Sequence, residues 1–151
     1  MTASPHPLPY DPWQDLAVNW PEVDVVIEPM AGRLLGVLRY PVIALRAGTS
    51  SAQRRCTLTH EIVHLERGTA DCGPWAGREE VLVHREVARR LIPLPLLSSA
   101  VRGLGGPAQL TELAQALDVD LETAHCRLTM LTPAERAAVA AASRDALRLD
   151  A

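Results

Sequence analysis

The stretch Ser50-Ser51-Ala52-Gln53-Arg54-Arg55-Cys56-Thr57-Leu58-Thr59-His60-Glu61-Ile62-Val63-His64-Leu65-Glu66-Arg67-Gly68 decides how this chain is read. Ser50 with Gln53 forms a capping box, which starts a helix, and Gly68 is placed to end it after Arg67. Leu58, Ile62 and Leu65 recur at helical spacing and predict a core-facing stripe. His60 and His64 are four residues apart, so both imidazoles share one helical face and can reach a single ion. Glu61 is offset by one helical step, where a carboxylate meets water rather than the ion. His-Glu-x-x-His on a helix is the layout of a zinc hydrolase site, with two ligands and a general base beside them. The plain alternative is a helix carrying two surface histidines and a surface glutamate.

Composition sets the frame around this helix. A chain of 151 residues with 48% hydrophobic and 22% charged residues has the make-up of a folded domain that buries a core. That core is aliphatic, because there is no Phe and the aromatic residues are Trp13, Trp20, Trp75, Tyr10 and Tyr40 alone. A net charge of −3 invites neither nucleic acid nor an anionic membrane, and every basic residue is Arg. No run approaches the roughly 18 apolar residues of a membrane span. The amino terminus lacks the basic and apolar regions of a secretory signal. Cys56, Cys72 and Cys126 have no metal-finger spacing and suit free thiols in a reducing compartment, so a cytoplasmic location is expected.

Upstream of the motif, residues 1 to about 20 form a Pro-rich, irregular or partly helical lead-in. Val23–Glu28, Arg33–Tyr40 and Pro41–Arg46 have the aliphatic content of short strands, punctuated by Pro29, Gly32, Pro41 and Gly48. Three strands in succession predict a small antiparallel sheet. Downstream, Gly68–Gly77 is a loop and Arg78–Ile92 a second helix ended by Pro93 and Pro95. Gly103–Pro107 is a breaker. Helices over Ala108–Leu117 and Leu121–Leu131 follow, and Thr132 with Glu135 caps a final helix to about Leu147.

A catalytic zinc takes three protein ligands and keeps an open position. The metzincin extension fails here, since Arg67 and Ala70 stand where Gly and His or Asp are needed, and Asp71 is out of register. Peptide deformylases draw a Cys from an upstream strand, and no Cys precedes Cys56. The second helix offers a better candidate. Glu80, Val83, His84, Val87 and Leu91 share one face, otherwise apolar, which directs Glu80 and His84 inward. Arg78, Arg85 and Arg89 take the solvated side, and Glu79 lies about 100 degrees from the stripe. A carboxylate in an apolar stripe needs a cation, which zinc would supply. The competing reading pairs Glu80 with His84 as a simple i, i+4 couple. His84 suits an orienting role toward a ligand histidine, with direct ligation as the alternative.

Thr57-Leu58-Thr59-His60-Glu61-Ile62-Val63-His64, then Glu80-x-x-Val83-His84, closed by Ala88-Arg89-Arg90-Leu91-Ile92-Pro93, resembles the ImmA/IrrE family of metallo-endopeptidases. The resemblance spans about residues 22 to 131 and is specific over 54 to 93. It departs at His84, where that family has Asn or Asp, and at Glu86, where it has an aromatic residue. It implies His60, His64 and Glu80 as metal ligands and Glu61 as the catalytic base. It also implies Zn2+, with Mn2+ as the alternative, and a helix-turn-helix transcriptional repressor as the protein substrate.

The expected fold is α+β: a small antiparallel sheet with zincin-like helices and a helical C-terminal part. A metalloprotease core is expected over 1–103, and a helical segment packed on it over 104–151. Residues 107–131 have the cadence of a helix-turn-helix, but Glu112, Asp118, Asp120 and Glu122 stand against Arg127 alone, a poor surface for phosphates. A structural helical pair is therefore expected, and neither nucleic acid nor membrane as a partner. Two rival functions remain: a non-catalytic protein that sequesters a repressor, and a DNA-binding regulator using 107–131. Trp75 is read as packing or as a substrate wall, Cys56 as a buried inert thiol, and Arg54 and Arg55 as solvated helix residues.

Overall fold

Asp11 opens the first helix, α1 (Pro12–Asn19), its carboxylate accepting from the backbone N–H groups of Trp13 and Gln14 at 2.9 and 3.4 Å. A computed structural model describes residues 9–69, 76–105 and 108–149 of the chain. Asp71, Cys72 and Trp75 lie outside the described residues, as do residues 1–8 of the lead-in and the end of the Gly103–Pro107 breaker.

Three strands follow, β1 (Asp24–Glu28), β2 (Gly36–Arg39) and β3 (Val42–Arg46). A two-residue turn containing a cis Tyr40–Pro41 bond joins β2 to β3, which pair antiparallel. The order is β1-β3-β2, and β1 runs parallel to β3, with Asp24 opposite Val42. The sheet is therefore mixed, not antiparallel as expected. Burial explains the order. Ile43, Ala44 and Leu45 are almost fully buried, so β3 takes the centre, while β1 is mostly exposed and forms an edge. Sequence order alone does not say on which side of the hairpin β1 must lie.

Helix α2 (Ser51–Arg67) has the predicted limits: Ser50 and Gln53 form the reciprocal capping box, and Gly68 closes it at φ 66°. Leu58 and Ile62 pack with Ile43 and Leu45 of the sheet, and Leu65 lies against the same cluster. Cys56 and Val63 face a second cluster, made with the helices that follow. α2 is thus sandwiched between sheet and helices, and its polar residues are positioned by packing on both flanks.

α3 (Ala76–Leu91) buries Val83, Val87 and Leu91, the predicted stripe, and leaves Arg78, Arg85 and Arg89 outside. After Pro93 the chain forms a further helix, α4 (Leu94–Gly103), with proline in its first turn, where no N–H partner is required. The remaining helices are α5 (Leu110–Leu117), α6 (Leu121–Thr129) and α7 (Pro133–Leu149). Leu113, Leu117, Ala124 and Leu131 join Val87, Leu91 and Leu97 in one cluster, so both sides of position 103 contribute to the same core. No helix among the described residues is long and apolar enough to cross a membrane.

Two arginines tie this core together. Arg55, expected in solvent, instead donates to the carbonyls of Leu117, Asp118 and Tyr10 at 3.3, 2.9 and 3.0 Å. It satisfies the C-terminal end of α5, where Asp118 adopts a left-handed φ of 51°. Arg127 is only 3% exposed; it donates to the Ile92 carbonyl at 2.8 Å and to Glu135 at 2.8 Å. Arg127→Leu should cost about 1–3 kcal/mol in urea denaturation, because the buried Ile92 carbonyl loses its donor. An unchanged midpoint would mean that this bond contributes nothing net.

Candidate metal centre

α2 and α3 lie side by side, and their polar faces meet. His60 and His64 project from successive turns of α2 with their Nε2 atoms 3.1 Å apart and ring centroids 4.7 Å apart. Glu80 enters from α3: Oε1 lies 2.9 Å from His64 Nε2, and Oε2 lies 3.3 Å from His60 Nε2. His84, one turn further along α3, places Nε2 3.6 Å from the same Oε2. Its Nδ1 faces Glu122 Oε1 on α6 at 3.2 Å, and its ring lies 5.0 Å from that of His60. His64 Nδ1 is 3.1 Å from the Thr69 hydroxyl.

Two overlapping triads thus share His60 and Glu80. One is completed by His64, through the three contacts just given. In the other, the ligand atoms of His60, Glu80 and His84 lie within 4.8 Å of one another, a group that could hold a metal ion. The donor chemistry fits such an ion. Burial, and then the neighbouring His64 and His84, push His60 down to about 3, so its imidazole stays neutral with a lone pair to give. Nitrogens and a carboxylate aimed at one point repel unless something positive lies among them. A proton can bridge one such contact, whereas a divalent cation satisfies them together.

Glu61 sits beside this group and is only 8% exposed. Burial raises its pKa to about 7, helped by the charge of Glu80 and opposed by a backbone hydrogen bond from Leu38 of β2. The strand comes this close because residue 36 is glycine. A Cβ there would meet Thr57 Cγ2 at 2.4 Å, with the Ala44 carbonyl and Glu61 Oε1 both at 3.3 Å. A glycine inside an aliphatic strand is a sequence signal for close backbone approach. Gly36, Thr69 and Glu122 are the site residues that the sequence reading did not single out. For Thr69 and Glu122 no local pattern marks them, since their partners come from other segments.

The neighbours of the site are accounted for. Glu79 pairs with Arg67 and also meets Thr69, the residue behind His64. Glu86 joins Arg90 at 2.9 Å, and Arg90 reaches Glu66 of α2 at 2.6 Å, bracing the two ligand-bearing helices. Cys56 is buried, and burial followed by the Asp120 charge raises its thiol to about 11, which suits an inert thiol. Above the cluster opens a cleft of about 230 Å³, walled by Leu34, Leu35 and Gly36 on one side and by Glu122, Thr123 and Cys126 of α6 on the other. Comparison with protein-family models, curated proteins and solved structures finds no match to this chain.

Two outcomes follow from this geometry. Between about pH 4.5, where Glu61 ionises in the unfolded chain, and about 7, where it ionises in the native one, the folded state holds the extra proton. Stability through this group therefore falls as pH rises across that window. In chelator-treated protein, Glu61→Gln should gain stability relative to wild type from pH 4.5 to 8, read by urea denaturation; parallel profiles would refute this. Gly36→Ala should cost about 1–3 kcal/mol by overpacking. Adding Thr57→Ser, which removes the offending methyl, should recover much of the loss, and no recovery would locate the strain elsewhere.

Proposed function

We propose that this chain is a zinc-dependent endopeptidase, with His60, His64 and Glu80 holding the metal and Glu61 acting as general base. The observation that carries this reading is the convergence of the α2 imidazoles on the α3 carboxylate, with His60, Glu80 and the buried Glu61, a carboxylate of raised pKa, lining one cleft. A divalent zinc there supplies a Lewis acid that polarises a carbonyl and acidifies water. Mn2+ would fill the same donor set. Glu61 accepts the proton of the attacking water at a carboxylate oxygen and delivers it to the departing amine. In the metal-free chain, burial raises this carboxyl to about 7, and a divalent cation beside it would favour the ionised form that accepts a proton. Leu38 and the glycine at 36 keep that carboxylate against β2.

The substrate is a protein segment in extended form. β2 is an edge strand whose partner is β3, and the residues just before it line the cleft, so a peptide can lie along that wall. The resemblance to ImmA/IrrE endopeptidases points to a helix-turn-helix repressor as that protein, met in the reducing cytoplasm where Cys56 and Cys126 remain thiols. Arg127 counts against the DNA-binding alternative. It is the one base of residues 107–131, and it is buried and bonded within the core.

The test is cleavage of a repressor of that class, or of a degenerate peptide library, followed by mass spectrometry. Wild type should cut. Glu61→Gln should retain stoichiometric zinc while losing about 10²–10⁴-fold in rate. Cleavage by Glu61→Gln at the wild-type rate would remove Glu61 as the base. Zinc-loaded wild type that binds a repressor and leaves it intact would favour the sequestering protein instead.

A further inference from the structure

We infer that His84 is itself a metal ligand, held by Glu122 of the C-terminal helix pair, so that the centre offers four protein donors, His60, His64, Glu80 and His84. This rests on the metal-binding part of the reading above and is independent of catalysis.

The direction of the His84 ring carries the inference. An imidazole that merely oriented a ligand histidine would meet that ligand's far nitrogen. Instead, His84 Nε2 and His60 Nε2 both face Glu80 Oε2, at 3.6 and 3.3 Å. The ligand atoms of His60, Glu80 and His84 lie within 4.8 Å of one another. Donors that each sit about 2.0–2.2 Å from one ion can be no farther apart than about 4.4 Å, so His60, Glu80 and His84 need only a small inward movement to share the ion that His64 also reaches through Glu80 Oε1.

The other ring nitrogen supports the same assignment. His84 Nδ1 lies 3.2 Å from Glu122 Oε1. A carboxylate accepts but cannot donate, and Glu122 at 3.2 Å lies nearer to Nδ1 than Glu80 at 3.6 Å does to Nε2, so the proton is favoured on Nδ1. The lone pair is then on Nε2, the atom facing the cluster. A carboxylate behind a metal-binding imidazole fixes its ring orientation and raises its basicity. His64 Nδ1 has the Thr69 hydroxyl at 3.1 Å, which can accept its proton. Glu122 is 73% exposed, so its effect is screened by water and is smaller than that of the ligand it orients.

This gives the helix pair α5–α6 a role that its acidic surface denies it on DNA. It brings a carboxylate to the back of a ligand, tying the C-terminal part of the chain to the metal. Four protein donors also mean that water or substrate would enter as a fifth ligand. That favours ions tolerant of five or six positions over a strictly tetrahedral site.

The experiment uses the full chain loaded with Zn2+ alone, comparing wild type, His84→Asn and Glu122→Gln. X-ray absorption at the zinc edge counts bound imidazoles, and chelator competition gives affinity. Circular dichroism checks that the partly exposed substitutions leave the fold intact. Wild type should show three imidazoles and His84→Asn two, with an affinity loss of about tenfold or more. Glu122→Gln should keep three imidazoles and lose severalfold in affinity. Two imidazoles in zinc-loaded wild type, or unchanged affinity in His84→Asn, would overturn the assignment of His84 and leave the three-ligand centre standing. Failure of wild type to take up zinc would overturn both.

Discussion

The contact on which this structure turns is the Glu80 carboxylate spanning His60 and His64, at 3.3 and 2.9 Å. It joins α2 to α3, alongside the Arg67–Glu79 and Arg90–Glu66 ion pairs. Everything around it is arranged so that these groups can be held together despite the cost of taking them out of water. Leu58 and Ile62 anchor α2 on the sheet, while Val83, Val87 and Leu91 anchor α3 in the helical core. Arg90 pins Glu66 to Glu86 across the two helices. The apolar packing supplies the rigidity, and the ion pairs, mostly near solvent, set the register between the helices.

Burial then divides the labour among like groups. Glu61 and Glu80 are both carboxylates within one cluster, yet their surroundings differ. Glu80 faces imidazoles and is partly open to solvent, whereas Glu61 is largely buried against β2 at the edge of the cleft and is pushed up to about 7. Two carboxylates in different environments are what a ligand-and-base assignment requires. That burial depends on a residue with no side chain, since Gly36 lets the strand backbone approach Glu61 as closely as Thr57 allows.

The features legible in the sequence were those set by local chemistry. The limits of α2 followed from a four-residue capping box and one glycine, and the face of α3 from its helical period. The antiparallel expectation for the sheet failed because the position of β1 beside β3 depends on which strand is buried on both sides. Arg55 was misread for a related reason: its acceptors lie more than forty residues away in either direction, at Tyr10 and at the end of α5. Glu122 was invisible in the same way, being one acid among four on a segment whose face toward α3 no local pattern reveals. The meeting of His60, His64 and Glu80 could be anticipated because two helical periods and a short connection suffice to bring them together.

The central claim, a metal centre built on Glu80 between two helices, is tested most directly by titrating Zn2+ into chelator-stripped protein and following thermal unfolding. The account predicts saturable one-to-one stabilisation, worth about 2.7 kcal/mol at a hundredfold excess over Kd, and its loss in Glu80→Gln. No stabilisation of wild type, or equal stabilisation of Glu80→Gln, would contradict it.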